Sequence, residues 1–231
     1  MSSIEDFESK VVSGDEVKRF HDACFLRADW PQTMPGLDQQ KLWHWVAVNH
    51  RNNCLLWDQE DLARRTLATD ADITANKRAI DRYNQTRNDA TERVDEFLLL
   101  ALGLIDPASI GSDQPQSRAG ASARLNSETA GSIMDRMSIM ALKVRAMRAQ
   151  TLRSDADAAH RSASQQKLVR LTEQRDDLAA CLDQLLTDSR SGRAYFKVYR
   201  QFKMYNDPRF NPVLVAEAAL LKAAGGQASQ Q

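Results

Sequence analysis

The chain has 231 residues, 42% of them hydrophobic, and its 31 Lys and Arg are balanced by 31 Asp and Glu. A net charge of zero gives no global drive toward nucleic acid or an anionic membrane, so an electrostatic partner must meet a local patch. The length supports a substantial core and no sharp composition break divides it, which predicts a single helical domain over residues 1–217 and a frayed tail over 218–231. Cys24, Cys54 and Cys181 are odd in number and lack metal or redox spacing, so they read as reduced, buried thiols. The polar N-terminus has no apolar stretch behind it. The longest apolar run, Phe97 to Ile105, is far short of the ~20 residues that span a bilayer, which predicts a cytoplasmic protein without a membrane span.

Six prolines and nine glycines leave long uninterrupted stretches with 3.6-residue periodicity, so the expected class is all-α. In chain order, Ser13 and Glu16 have capping-box spacing and open a short helix toward Cys24, and residues 30–36 form a loop. A second helix is predicted from Gln39 to Leu67 and a third from Ile73 to Leu102, long enough to form an antiparallel hairpin. Residues 106–126, rich in Ser, Gly, Ala, Gln and Pro, read as a mobile connection. A fourth helix begins near Ser132 and passes Met147, a fifth runs from Ala158 to Ser189, and a sixth is expected from Arg193 to Tyr205. A turn at NDPRFNP then precedes a short apolar helix from Val213. Four long helices with shorter ones at either end predict a helical bundle.

The helix faces that should point inward are unusually polar. Leu42, Trp45, Asn49, Asn53, Leu56, Glu60 and Ala63 share one face of the second helix, and Trp43, Ala47, His50, Cys54, Trp57, Asp61 and Arg64 the neighbouring one. On the third helix Asp81, Asn84, Asn88, Glu92 and Asp95 form a ridge beside Arg87 and Thr91. An unsatisfied buried polar group costs about 1–3 kcal/mol, so such residues must satisfy one another or line a wet cavity. Asn49, Asn53 and Glu60, flanked by Trp and Leu, are expected to face inward, whereas the ridge is equally readable as a solvated face.

Five blocks carry a resemblance: HRNNCLLWDQEDLARR, KRAIDRYNQTRNDATERVDEFLL, ETAGSIMDRMSIMALKV, EQRDDLAACLDQLL and FKVYRQFKMYNDPRFNPVL. In this order they resemble the bacterial family of domain of unknown function 4254 over residues 38–215, the 106–126 connection excepted. The resemblance implies a small helical bacterial protein and supplies no reaction, cofactor or catalytic residue. It also points toward neighbourhoods of cell-surface glycan glycosyltransferases, hence to an accessory role in glycan assembly. One departure is Ala130, where the family pattern has proline before Gly131.

Two functions from different classes follow. In the first, a non-catalytic protein binds a small polar or phosphorylated ligand between its helices through His50, Asn53, Trp57, Arg64, Asn84, Arg87, Asn88, Asp135 and Arg136. In the second, Glu60 and Asp61 on one helix and Glu92 and Asp95 on the next hold Mg²⁺ for hydrolysis of a phosphate or sugar-nucleotide. Those acidic pairs resemble in outline the site of the all-α nucleotide pyrophosphohydrolases, although Arg64 stands where a third carboxylate belongs. The residues around Gly131 open the fourth helix and suit either an ordinary cap at Ser132 with Asp135 or an anion site, with Arg136 paired to a carboxylate of the second or third helix. Arg193, Lys197 and Arg200 make a basic stripe among aromatic residues, read as a solvated or partner-facing side rather than a nucleic-acid site. That segment and VLVAEAALL suggest self-association as a homo-oligomer.

Overall fold

The helices begin where short polar side chains can accept from free backbone donors. In the computed structural model, which describes residues 4–202 and 207–228, Ser13 accepts from Glu16 N and opens α1, Gly14–Phe25. Thr69 and Asp72 close a reciprocal capping box at the start of α3, Asp70–Ala101. Thr129 opens α4, Ala130–Thr151, and Asp157 opens α5, Ala158–Arg190. α2, Leu42–Leu62, starts at Lys41 without a side-chain cap. The fold is all-α, as predicted. Among the described residues the strands are two two-residue segments, β1 Arg124–Leu125 and β2 Ala194–Tyr195, paired in parallel. No helix among the described residues is long and apolar enough to cross a membrane.

The chain forms one unit through Tyr199 and a second from Arg200. Within the first, α2 packs mainly on α3 and α4 mainly on α5, and α1 lies against both α4 and α5. A hydrogen bond from Asn49 Nδ2 to Thr91 Oγ1 (3.1 Å) fixes the antiparallel register of α2 and α3. The core runs from an aromatic cluster of Phe7, Phe20 and Trp43 to Leu99, Ile133, Met137, Leu182 and Leu186. Arg175 of α5, almost fully buried, ties α1 down by donating to Asp22 (2.9 Å) and to the Lys18 carbonyl (2.9 Å). In the second unit, Asp207 organises a turn by accepting from Arg209 N, and α6, Pro212–Ala228, follows.

Three expectations about local structure are corrected. The predicted helix from Arg193 to Tyr205 does not form: Gly192 takes φ 72°, Arg193 N bonds back to Asp188 O (2.9 Å), and the chain leaves α5 extended. Ala194, Phe196 and Val198 are buried while Lys197 and Tyr199 are exposed, the period of two of an extended segment. Arg193, Lys197 and Arg200 therefore make no helical stripe; residues 203–206 lie outside the described residues. The cap of α4 is Thr129, not Ser132. Cys181 is exposed, whereas Cys24 and Cys54 are buried. The connection 106–126 is hydrogen-bonded at both ends, by Asp106 N to Gln116 O (2.8 Å) and by Asn126 N to Tyr195 O (2.7 Å).

Gly131 sits where α4 packs tightly against α3. A Cβ built there would lie 2.5 Å from Thr91 O and 3.0 Å from Asp95 Oδ1, and backbone cannot yield as a flexible side chain does. Gly131→Ala is expected to cost about 1–3 kcal/mol through overpacking, read as a lowered denaturant midpoint; an unchanged midpoint would show that the two helices can part freely.

Candidate functional site

The inward faces of α2, α3 and α4 meet in a polar network and, beyond it, an open cleft. Asp135 Oδ1 accepts from Asn49 Nδ2 (2.8 Å) and from Asn53 Nδ2 (2.9 Å). Asn53 Nδ2 also reaches Ser138 Oγ (3.0 Å) and Asn49 Oδ1 (3.2 Å). Ser138 Oγ continues to His50 Nδ1 at 2.8 Å. Asn49, Asn53, His50 and Ser138 are all buried, so this inner half is a set of polar groups that satisfy one another.

Toward solvent the network opens into a cleft of ≈ 320 Å³. Asn53, Trp57, Glu60 and Asp61 of α2, with Arg64 just beyond its end, form one side, Asn84 and Arg87 of α3 the other, and Leu56, Ile139 and Leu142 the apolar floor. The Arg87 guanidinium donates from Nη2 to Asn88 Oδ1 (3.2 Å), and its Nε lies 3.8 Å from Asp135 Oδ1. That Nε is buried with no hydrogen-bond partner. At the rim Arg64 folds back on α2 and pairs with Glu60 (3.0 Å), both side chains largely exposed.

Of the residues expected to bind a ligand, Asn53, Trp57, Arg64, Asn84 and Arg87 come together here, with Asp135 behind Arg87 and Asn88 bonded to it. His50 and Arg136 do not. His50 is fully buried behind Ser138, its ring 4.4 Å from that of His21 and stacked at 5.4 Å on Trp30. Burial, with the Arg175 charge adding to it, pushes its imidazole down to about 3, and its Nε2 has no hydrogen-bond partner. His21 is likewise held well below the ordinary histidine range by burial and by His50. Both rings are neutral core groups. Arg136 pairs with Glu128, on the preceding loop rather than on α2 or α3, and faces a separate surface hollow with Cys181.

The four carboxylates proposed for Mg²⁺ are not brought together. Because Asn49 faces Thr91 across an antiparallel hairpin, Glu60 lies about 16 Å along α2 from that level, while Glu92 and Asp95 lie at or beyond it in the opposite direction. Glu60 and Asp61 reach the rim of the cleft. Asp95 is buried, and its Oδ1 accepts from Gly131 N (2.7 Å), anchoring the start of α4. Burial pushes its carboxyl up to about 7 against the pull of the Thr129 and Gly131 hydrogen bonds. Among the described residues no group of three or more His, Cys, Asp or Glu has metal-holding geometry.

Leu56, Ile139, Leu142 and the network members Ser138, Thr91 and Asn49 were not among the site residues read from sequence. Ser138 had one usable signal, its position one turn from Asp135 on the same face of α4.

No curated protein and no solved structure matches the chain. The model of the family described as protein of unknown function (DUF4254) matches residues 43–198, which includes all of α2 to α5 but Leu42, and every residue lining the cleft. With more than half of its length matched, the chain belongs to the DUF4254 family.

Proposed function

We propose that the cleft between α2, α3 and α4 binds a small phosphorylated polyhydroxy compound, with the phosphate on Arg87. The observation that carries this reading is the Arg87 side chain at the wall of an open cleft, its Nε without a hydrogen-bond partner. A guanidinium presents five donors in a plane, and an anion of matching geometry would take those left over by Asn88 and Asp135. Asn84 supplies an amide beside it, Trp57 an aromatic face, and Glu60 and Asp61 acceptors for hydroxyl groups at the rim. The volume of ≈ 320 Å³ lies at the small end of ligand sites, which limits the occupant to a compound of this size. Asn84, Arg87 and Trp57 recognise rather than react, so a role in glycan assembly would be that of an accessory binding protein.

Calorimetric titration with glucose 6-phosphate, inorganic phosphate and glucose tests it. The sugar phosphate is expected to bind more tightly than either fragment. Arg87→Met is expected to weaken it at least tenfold, as loss of hydrogen bonds to a charged group does. Absence of binding by all three probes, or equal binding by the wild type and the Arg87→Met variant, would overturn the reading.

A further inference from the structure

A second concavity lies on another side of Trp57, a groove of ≈ 460 Å³ between α4 and α5. α4 contributes Lys143, Ala146, Met147 and Gln150, and α5 contributes Lys167, Arg170, Leu171 and Gln174. Both sets follow the i, i+3, i+4, i+7 spacing, so each is one stripe of its helix and the two stripes face each other across the hairpin. The floor is apolar, made by Met147, Ala146, Leu171 and the Trp57 ring. Every charged residue lining it is a cation, and no carboxylate lines it at all. In a chain with equal numbers of acids and bases, this is a marked local imbalance.

The three cations are also unengaged. Among the described residues none of Lys143, Lys167 and Arg170 forms an ion pair, whereas Arg64, Arg136 and Arg153, at the end of α2 and around α4, are each paired with a carboxylate. An apolar floor alone would suit any hydrophobic segment. An apolar floor flanked only by unpaired positive charge suits a molecule with a hydrophobic chain and an anionic head, because each part would leave the other's surface unmatched if bound alone. The stripe from Lys143 to Gln150 is about 10 Å long, room for the greater part of one extended alkyl chain rather than a folded segment.

We propose that the α4–α5 groove is a binding site for a single-chain amphiphilic anion, its chain on Met147, Leu171 and Trp57 and its head on Lys143, Lys167 and Arg170. The site shares the Trp57 ring with the cleft at Arg87 but none of that cleft's other lining residues, and does not depend on that cleft having a ligand.

The full chain titrated with dodecyl phosphate below its micelle concentration tests this, beside dodecyl maltoside and inorganic phosphate as controls. Dodecyl phosphate is expected to bind at least tenfold more tightly than either control. The double variant Lys167→Glu, Arg170→Glu, altered only at exposed positions, should lose at least tenfold in affinity while keeping its helical circular dichroism. Arg87→Met should bind dodecyl phosphate as the wild type does, which separates this site from the cleft. Equal affinity for dodecyl maltoside, or indifference to the charge reversal, would overturn the proposal. So would sedimentation with phosphatidylserine vesicles without binding of monomeric dodecyl phosphate, an outcome that would make the groove a membrane-facing surface instead.

Discussion

Asp135→Leu is expected to lower stability by about 3–5 kcal/mol, the largest effect of any single substitution near the cleft. Asp135 Oδ1 is the shared acceptor for Asn49 and Asn53 and lies 3.8 Å from the Arg87 Nε. A leucine would leave two buried amides without their common partner and a half-buried guanidinium without its counter-charge, and neither amide can turn to water without unpacking α2 from α4. Asp135→Asn keeps one acceptor oxygen and is expected to cost about 1–2 kcal/mol. Denaturant unfolding of both variants checks the difference. An Asp135→Leu midpoint within experimental error of the wild type would mean that the network contributes nothing to holding these helices together.

The second large effect is loss of stability in acid. His50 is pushed down to about 3 and His21 well below its ordinary range, so both are neutral in the folded chain where the unfolded chain would bind protons. Their contribution is present above pH 6.5 and is lost as pH falls from there, each at about 1.4 kcal/mol per pH unit. Asp95 runs the other way. Its carboxyl is raised from 3.8 to about 7, so its contribution is full below pH 3.8 and is lost as pH rises through 7. Between pH 6.5 and 4.5 the two histidines outweigh the one acid, and a net loss of stability is expected. Asp95→Asn removes the opposing contribution, so the acid loss should roughly double in slope, and His21→Phe should flatten it. A wild-type stability that is flat over this window would show that these rings reach water in the folded chain.

These effects mark where sequence and structure part. The long helices were legible because their periodicity is sustained over many turns. The inward orientation of Asn49 and Asn53 was legible from the Trp and Leu beside them on one face; both are buried. Glu60, on the same face, is exposed, because α2 ends two residues later at Leu62 and its last turn has little packed against it. The segment after Gly192 reads as helical in sequence since Phe196, Tyr199 and Phe202 fit a period of three as well as Ala194, Phe196 and Val198 fit a period of two. Pairing with Arg124–Leu125, far away along the chain, decides between them. The metal constellation failed for a similar reason: one-dimensional spacing within each helix says nothing of register between helices, and the Asn49–Thr91 contact sets that register.

α1 bears on what counts as this fold. Val17, Phe20, His21 and Cys24 are buried, His21 covers one face of the His50 ring, and Arg175 of α5 is engaged with α1. All of these α1 residues precede residue 43, where the match to the family begins. The stretch that defines membership and the stretch that completes the hydrophobic interior are therefore different lengths of chain. A fragment cut at the family boundary would begin with Trp43 stripped of Phe7 and Phe20 and with an imidazole turned to solvent, so the autonomous folding unit must reach back at least to Phe7.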